Sequence, residues 1–299
     1  MKPFLKYRGG KSNEIKHFEK YIPKKFDRYF ESFIGGGALY FHLEHPKSII
    51  NDINAKLINT YKEIKYNYPE VRKQLDYLQE IYETNQKEYQ SKKELAPDKR
   101  IENKNEALYY ELRKEFNYPT GKWLQSVIYF FINKTAYSGM IRYNKKGEYN
   151  VPFGRYKNFN TKLLTEEHYN LLKNTEIYNE DYTKLFNMAS TNDFMFLDPP
   201  YDCVFNDYGN LEFTGAFGED EHRRLAEDFK NLSCKALMVI SKTDLTKELY
   251  ENYVIDEYHK NYAVNIRNRF KNAAKHYVLT SYGTPTISVP SYSEQLELV

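Results

Sequence analysis

The sequence predicts an α/β protein: a Rossmann-like, doubly wound sheet interrupted by an inserted helical segment that ends in a β-hairpin. Three observations carry that prediction. Residues 28–33, followed by Gly35-Gly36-Gly37, read as strand, glycine turn and helix. Two later runs, at 194–197 and 236–240, are continuously apolar, as strands buried on both faces are. Between these parts lies a stretch of roughly 100 residues with a different period, long enough to form a module of its own.

Taken in order, residues 28–33 (RYFESF) form the first strand, and residues 38–44 continue from the glycines as a helix. Residues 48–50 (SII) give a second short strand ending in Asn51-Asp52. From about 55 to 116 apolar residues recur at helical spacing, as in Val71, Leu75 and Leu78. Residues 84–105 are nearly all polar and read as an exposed helix or a mobile connection. Residues 122–131 form an apolar helix containing Trp123, and RYNKKGEYNV at 142–151 reads as two short strands around a Lys-Gly turn. The α/β pattern returns after Thr161, with strands at 194–197, 236–240 and 277–282 and a helix at 221–231. The tail after Pro285 is peripheral.

Composition narrows the function classes. The 299 residues are 41% hydrophobic and 28% charged, and no apolar run approaches the ~20 residues that span a bilayer. The N-terminus has no apolar core of a secretory signal. Cys203 and Cys234 are too few for a disulfide framework or a four-ligand zinc site, so no metal and a reducing, cytoplasmic setting are expected. The net charge of +3 is too small to indicate a nucleic-acid partner. Its distribution is more telling. Lys122, Lys134, Arg142, Lys145, Lys146, Arg155 and Lys157 face a single acid, Glu148, and alternate with Tyr137, Tyr143, Tyr149 and Tyr156. That mixture suits phosphate contact and base stacking, the plain alternative being the solvated face of a lysine-rich chain.

The strongest chemical signal is Asp198-Pro199-Pro200-Tyr201, directly after the buried strand at 194–197. Two prolines force a rigid, extended turn, and ligands bind at the carboxyl ends of parallel strands. An aromatic amine is a poor nucleophile because its lone pair is delocalised into the ring. A carboxylate and a carbonyl that accept its two hydrogens localise that pair: Asp198 and the Pro199 carbonyl suit the task, and Tyr201 suits stacking on the base plane. The structural alternative is a sharp turn with a capping Asp. Glu31-Ser32-Phe33-Ile34-Gly35-Gly36-Gly37 lets the backbone approach a ligand closely, and Asp52, at the end of the second strand, is placed to accept bonds from ribose hydroxyls. Tyr7 and Lys11, around Gly9-Gly10, suit a cofactor lid or a phosphate contact.

Together these segments resemble the Dam-like family of N6-adenine-specific DNA methyltransferases, in the family's motif order. LKYRGGK resembles its N-terminal cofactor motif, FESFIGGGALYF its glycine motif, NDIN its ribose-binding segment and LDPPYD its catalytic motif. NKTAYSGMIRYN with NVPFGRYK resembles its DNA-reading hairpin. The resemblance implies an enzyme that moves a methyl group from S-adenosyl-L-methionine to adenine N6 of double-stranded DNA by direct in-line displacement, after flipping the base out of the duplex. It implies cofactor contacts from Tyr7, Lys11, Glu31, Phe33, Gly35, Gly36, Gly37, Asp52, Asp181 and Asp198. It also implies DNA contacts from Lys6, Lys134, Tyr137, Ser138, Met140, Arg142, Asn144 and Pro152, with Arg142 reading a guanine and Tyr137 wedging into the gap left by the flipped base. Residues 1–60 and 159–299 would then be the two parts of a catalytic domain, and 61–158 an inserted target-recognition domain. A GATC or related site and a cognate restriction endonuclease remain open. The chain departs from the family pattern at Ser32, where proline is usual, and at Ser138 and Met140, where Asn and Leu are common. His276 occupies what reads as an acidic position. Alternatives are transfer to cytosine N4, RNA adenine or a glutamine side chain, or a DNA-binding protein that has lost catalysis.

Overall fold

The computed structural model describes residues 1–7, 9–139, 142–201, 217–260 and 274–283. Met140 and Cys203, like the tail after Pro285, lie outside the described residues.

A four-residue helix α1 (Ile15–Phe18) precedes the first strand, β1 (Tyr29–Glu31). The glycine turn leads to α2 (Ala38–Leu43) and β2 (Ser48–Asn51). Then come α3 (Ala55–Leu95), α4 (Lys104–Asn117), α5 (Gln125–Thr135) and α6 (Glu166–Lys173). The α/β alternation resumes with β3 (Glu176–Tyr178), α7 (Thr183–Met188), β4 (Phe194–Leu197), α8 (Glu219–Lys230), β5 (Lys235–Ser241) and α9 (Asp244–Tyr250). Two further strands, β6 (Val254–Lys260) and β7 (Ala274–Thr280), complete it.

The seven strands form one sheet in the order β3-β2-β1-β4-β5-β7-β6. β3, β2, β1, β4 and β5 run parallel, while β7 is antiparallel to both β5 and β6. The order reverses between β1 and β4, which makes the carboxyl ends of these two strands the topological switch point. Side chains alternate between two cores, as the pleat requires. Tyr29, Phe194, Phe196 and Val239 pack on the face covered by α1 to α6, and Phe30, Met195, Leu197 and Met238 on the face covered by α7, α8 and α9.

The 55–116 region is helical as its spacing predicts. Asn54 caps α3 by accepting the Leu57 N–H at 3.0 Å. The helix breaks at Asn67 (φ −140°), two residues before Pro69, whose missing N–H and ring preclude a regular turn. The polar stretch from 84 is helix as far as Leu95, supported by pairs such as Glu88–Lys92. Helix α5 is buried from Ser126 to Thr135, with an apolar run from Val127 to Ile132 packed in the same cluster as residues of α3 and α4. Side chains of α3, α4 and α5 share one apolar cluster with the sheet face, and position 60/61 falls inside α3.

Candidate active site

The glycine turn after β1 is held from several sides. Ile34 N–H donates to the Asn51 carbonyl at 2.9 Å, Gly35 N–H to Asp52 Oδ2 at 2.9 Å, and the Tyr61 hydroxyl to the Gly35 carbonyl at 2.8 Å. Gly35 (φ +46°) and Gly37 (φ +68°) occupy the left-handed region, which glycine enters without strain. Tyr7 lies directly on this turn: a Cβ on Gly36 would sit 2.8 Å from the Tyr7 Cβ, and one on Gly35 2.8 Å from its ring. Asp52 Oδ1 accepts the Asn54 N–H at 3.0 Å, and burial raises the carboxyl's pKa. Asn51, which the sequence reading left without a role, ties this corner to the end of β3 by accepting the Glu180 N–H at 2.9 Å and donating to its carbonyl at 3.0 Å.

Glu31 closes β1 and is only 2% exposed. The Tyr29 hydroxyl donates to its Oε2 at 2.5 Å. Burial pushes its pKa up to about 8, and the Asp198 charge adds to the rise. Across the switch point, Asp198 follows β4. Lys11 reaches it with Nζ–Oδ distances of 2.6 and 2.8 Å, also donates to the Gly9 carbonyl at 3.0 Å and contacts the Tyr201 hydroxyl. The Tyr201 hydroxyl lies 3.3 Å from Asp198 Oδ1. Lys11, Glu31, Asp198 and Tyr201, spread over nearly 200 positions of sequence, therefore meet at the carboxyl ends of the central strands β1 and β4. Pro199 and Pro200 hold the turn between Asp198 and Tyr201.

Beside this cluster an aromatic group forms from Phe33, Tyr182 and Phe217, with ring centroids 5.5 and 6.0 Å from Phe33. Asp181 stands at its margin, paired with Arg224 at 2.6 Å and accepting from Thr183. Among the described residues, no group of three or more His, Cys, Asp or Glu is arranged to hold a metal.

The second set of sequence-selected residues gathers at the C-terminal end of α5 and on the hairpin. Asn133 pairs reciprocally with the Lys6 backbone, accepting its N–H at 2.8 Å and donating to its carbonyl at 2.6 Å. This clamp, which nothing local in the sequence announces, fixes the segment carrying Tyr7. The Lys6 ammonium lies 4.3 Å from the Tyr156 ring centroid and donates to the Lys134 carbonyl at 3.3 Å. Lys134 is not on a solvated face: it is 7% exposed, and burial, with Lys6 nearby, lowers its pKa to about 8.

Among the described residues the hairpin forms by an isolated bridge, Tyr143 to Tyr149, around Gly147 (φ +77°), with a second bridge from Ala136 to Phe153 beyond it, rather than by two regular strands. Asn144 is engaged inside it, accepting the Lys146 and Glu148 N–H groups and donating to Glu148 Oε2 at 2.7 Å. Arg142 is exposed and donates to Asn150 Oδ1 at 2.8 Å. Tyr137 (57% exposed) donates its backbone N–H to the Pro152 carbonyl at 2.9 Å, and the exposed Ser138 holds a left-handed φ of +56°. Pro152 is exposed beside them.

Comparison with known proteins places the chain in a family. A family model described as D12 class N6 adenine-specific DNA methyltransferase matches residues 7–266. The chain is 36% identical over 274 residues to the type II methyltransferase M.CviBI of Paramecium bursaria Chlorella virus NC1A, covering 90% of this chain and 94% of the relative. It is 31% identical to the type II methyltransferase M1.LlaDCHI of Lactococcus lactis subsp. cremoris, covering 95% and 96%, and 29% identical to the DNA adenine methylase of Salmonella typhi, covering 83% and 84%. The chain belongs to the D12 class of N6 adenine-specific DNA methyltransferases and is an adenine-specific DNA methyltransferase with a Rossmann-like sheet.

Proposed function

We propose that the protein methylates adenine N6 at a short site in double-stranded DNA, GATC or a related sequence, using S-adenosyl-L-methionine, and that the chemistry takes place at the Asp198–Tyr201 turn. The observation that carries this reading is the convergence of Asp198, Tyr201, Lys11 and Glu31 at the switch point. Such an amine bears two hydrogens. Asp198 and the Pro199 carbonyl are acceptors of the kind that turns its lone pair toward an electrophile, while Tyr201 offers a ring for the base plane. An adenine inside a duplex cannot reach this turn, so the base is flipped.

The residues present suit the cofactor. Glu31 is a buried carboxyl whose pKa stands at about 8, and an ammonium group brought beside it favours its ionised form. Asp52 suits ribose hydroxyls, the rings around Phe33 with Asp181 suit an adenine, and the Gly35–Gly37 turn permits close approach beneath Tyr7. The cofactor supplies the activated methyl group, by direct in-line displacement. Lys11 holds the Asp198 carboxylate until substrate takes its place.

Residues 61–158 serve target recognition within a catalytic part formed by 1–60 and 159–299. Arg142 reads a guanine, Tyr137 fills the gap left by the flipped base, and Lys6, Ser138, Asn144 and Pro152 complete the DNA face, with Met140, outside the described residues, proposed beside them. Lys134, only 7% exposed, supports that face through its carbonyl contact with Lys6 and does not itself reach DNA from this position. Two relatives carry the name type II methyltransferase; a paired restriction endonuclease is accordingly the protein partner proposed here. No described helix is long and apolar enough to cross a membrane. Sequencing unmethylated genomic DNA after exposure to the protein and cofactor tests the reading. N6-methyladenine confined to one short motif supports it, and methylation scattered without a motif overturns the site-specific part.

A further inference from the structure

His276, the histidine to which the sequence reading assigned no role, lies in β7 between Ser241 of β5 and Tyr258 of β6 and is fully buried. Its Nδ1 is 2.9 Å from Glu14 Oε2, an oxygen that also accepts from the Tyr258 hydroxyl at 2.7 Å. Lys260 pairs with the other Glu14 oxygen at 2.5 Å. Burial works against ionising Glu14, yet the bond from His276, the Lys11 charge and the bonds from Lys260 and Tyr258 hold its pKa down to about 2. Burial lowers the His276 pKa while Glu14 opposes the fall. An ionised Glu14 accepts, so Nδ1 carries the hydrogen and donates; Nε2 has no hydrogen-bond partner among the described residues. One hydrogen-bonded nitrogen thus sets the orientation of the ring.

The residue has neighbours on two sides. Glu14 donates its backbone N–H to the Lys11 carbonyl at 2.7 Å, so the acid that anchors His276 belongs to the turn presenting Lys11. The imidazole packs edge-on against Tyr201, with ring centroids 5.1 Å apart at 69°.

We propose that His276 is a positioning residue for methyl transfer: its buried ring, packed edge-on against Tyr201, seats the Tyr201 ring and keeps the Lys11–Asp198–Tyr201 cluster in register with the target base. The proposal rests on the role assigned above to the Asp198–Tyr201 turn. Two variants separate it from a merely structural role. His276→Asn keeps an N–H donor near the Nδ1 position and loses the ring, whereas His276→Phe keeps a ring and loses the donor. The measurement is the single-turnover transfer rate from labelled S-adenosylmethionine to unmethylated plasmid DNA, alongside cofactor affinity and thermal midpoint. The expected result is a fall of about tenfold or more for His276→Asn at near-unchanged cofactor affinity, with His276→Phe within about threefold of the parent. A His276→Asn enzyme at full rate, or a His276→Phe enzyme as slow as His276→Asn, overturns the proposal. So does a loss of rate that merely parallels lost stability and cofactor affinity. Asp198→Ala, run in parallel, distinguishes the two levels: transfer surviving in that variant breaks the catalytic reading itself, whatever the His276 variants do.

Discussion

At the carboxyl ends of β1, β2 and β4, Glu31, Asp52 and Lys11 are buried and engaged, whereas on the hairpin Tyr137, Arg142 and Pro152 stand exposed. The two regions also differ in the reach of their bonds. Around the carboxyl ends of the strands they join separate parts of the chain: Lys11 to Asp198, Tyr258 to Glu14, Asp52 to Gly35. On the hairpin the exposed Arg142 and the half-buried Asn144 bond locally, to Asn150 and Glu148, while Tyr149 and Val151 beneath them are tied to Asn117, Tyr109 and Arg113 of α4. Long-range buried pairs exist only in the completed fold and hold their dipoles in place before substrate arrives. Exposed local bonds exchange for water or a base edge at little cost. On the roles proposed above, the difference predicts that chemistry and target choice are separable and that each can be perturbed alone.

The largest expected effect is Asp198→Ala, which lowers the single-turnover rate by roughly 10²–10³-fold while cofactor and DNA affinity stay near the parent's, as titration calorimetry and filter binding would read. An equal loss of cofactor affinity would place Asp198 in cofactor binding, the contact the family resemblance also implies, instead of in the transfer step. Next is Gly36→Ala. The new methyl would lie 2.8 Å from the Tyr7 Cβ, so the lid over the turn must shift. Cofactor affinity falls by about tenfold by calorimetry, with DNA affinity unchanged. Arg142→Ala removes ~1–3 kcal/mol of discrimination at one guanine and leaves the rate at the preferred site close to normal; a collapse of rate would merge the two regions.

The smallest effect is a pH slope. The folded pKa of Glu31, about 8, lies above its ordinary value of 4.5. The folded chain therefore retains a proton that the unfolded chain releases across that window. Its contribution to stability is full below about 4.5, declines as pH rises and is gone above about 8. Glu31→Gln flattens that decline in a series of thermal melts, and saturating cofactor, whose ammonium favours the ionised carboxylate, reduces it in the parent.

Legibility in the sequence follows the same division between local and distant. β1, β2, β4 and β5 were readable because buried parallel strands are short apolar runs. β3 and β6 were not, since each lies at a sheet edge and mixes polar residues into a partly exposed strand, as in VIDEYHK. The late strand begins at Ala274 rather than 277 because His276 hides its polarity in a buried bond to Glu14. In the site, Asp198, Glu31, Asp52 and the glycines were legible because backbone geometry and chemistry together demand those residue types in short segments. The Asn133 clamp on Lys6 and the Glu14–His276 pair join positions more than 100 residues apart, and no local pattern marks either partner.

The most direct test of the separation is to methylate the same unmethylated genomic DNA with the parent, Asp198→Ala and Arg142→Ala proteins, then combine nucleoside analysis with sequencing. The account predicts N6-methyladenine in one short motif from the parent, in a broadened set of sites from Arg142→Ala, and almost none from Asp198→Ala. N6-methyladenine from Asp198→Ala at the parent's level, or an unchanged motif from Arg142→Ala, would contradict it.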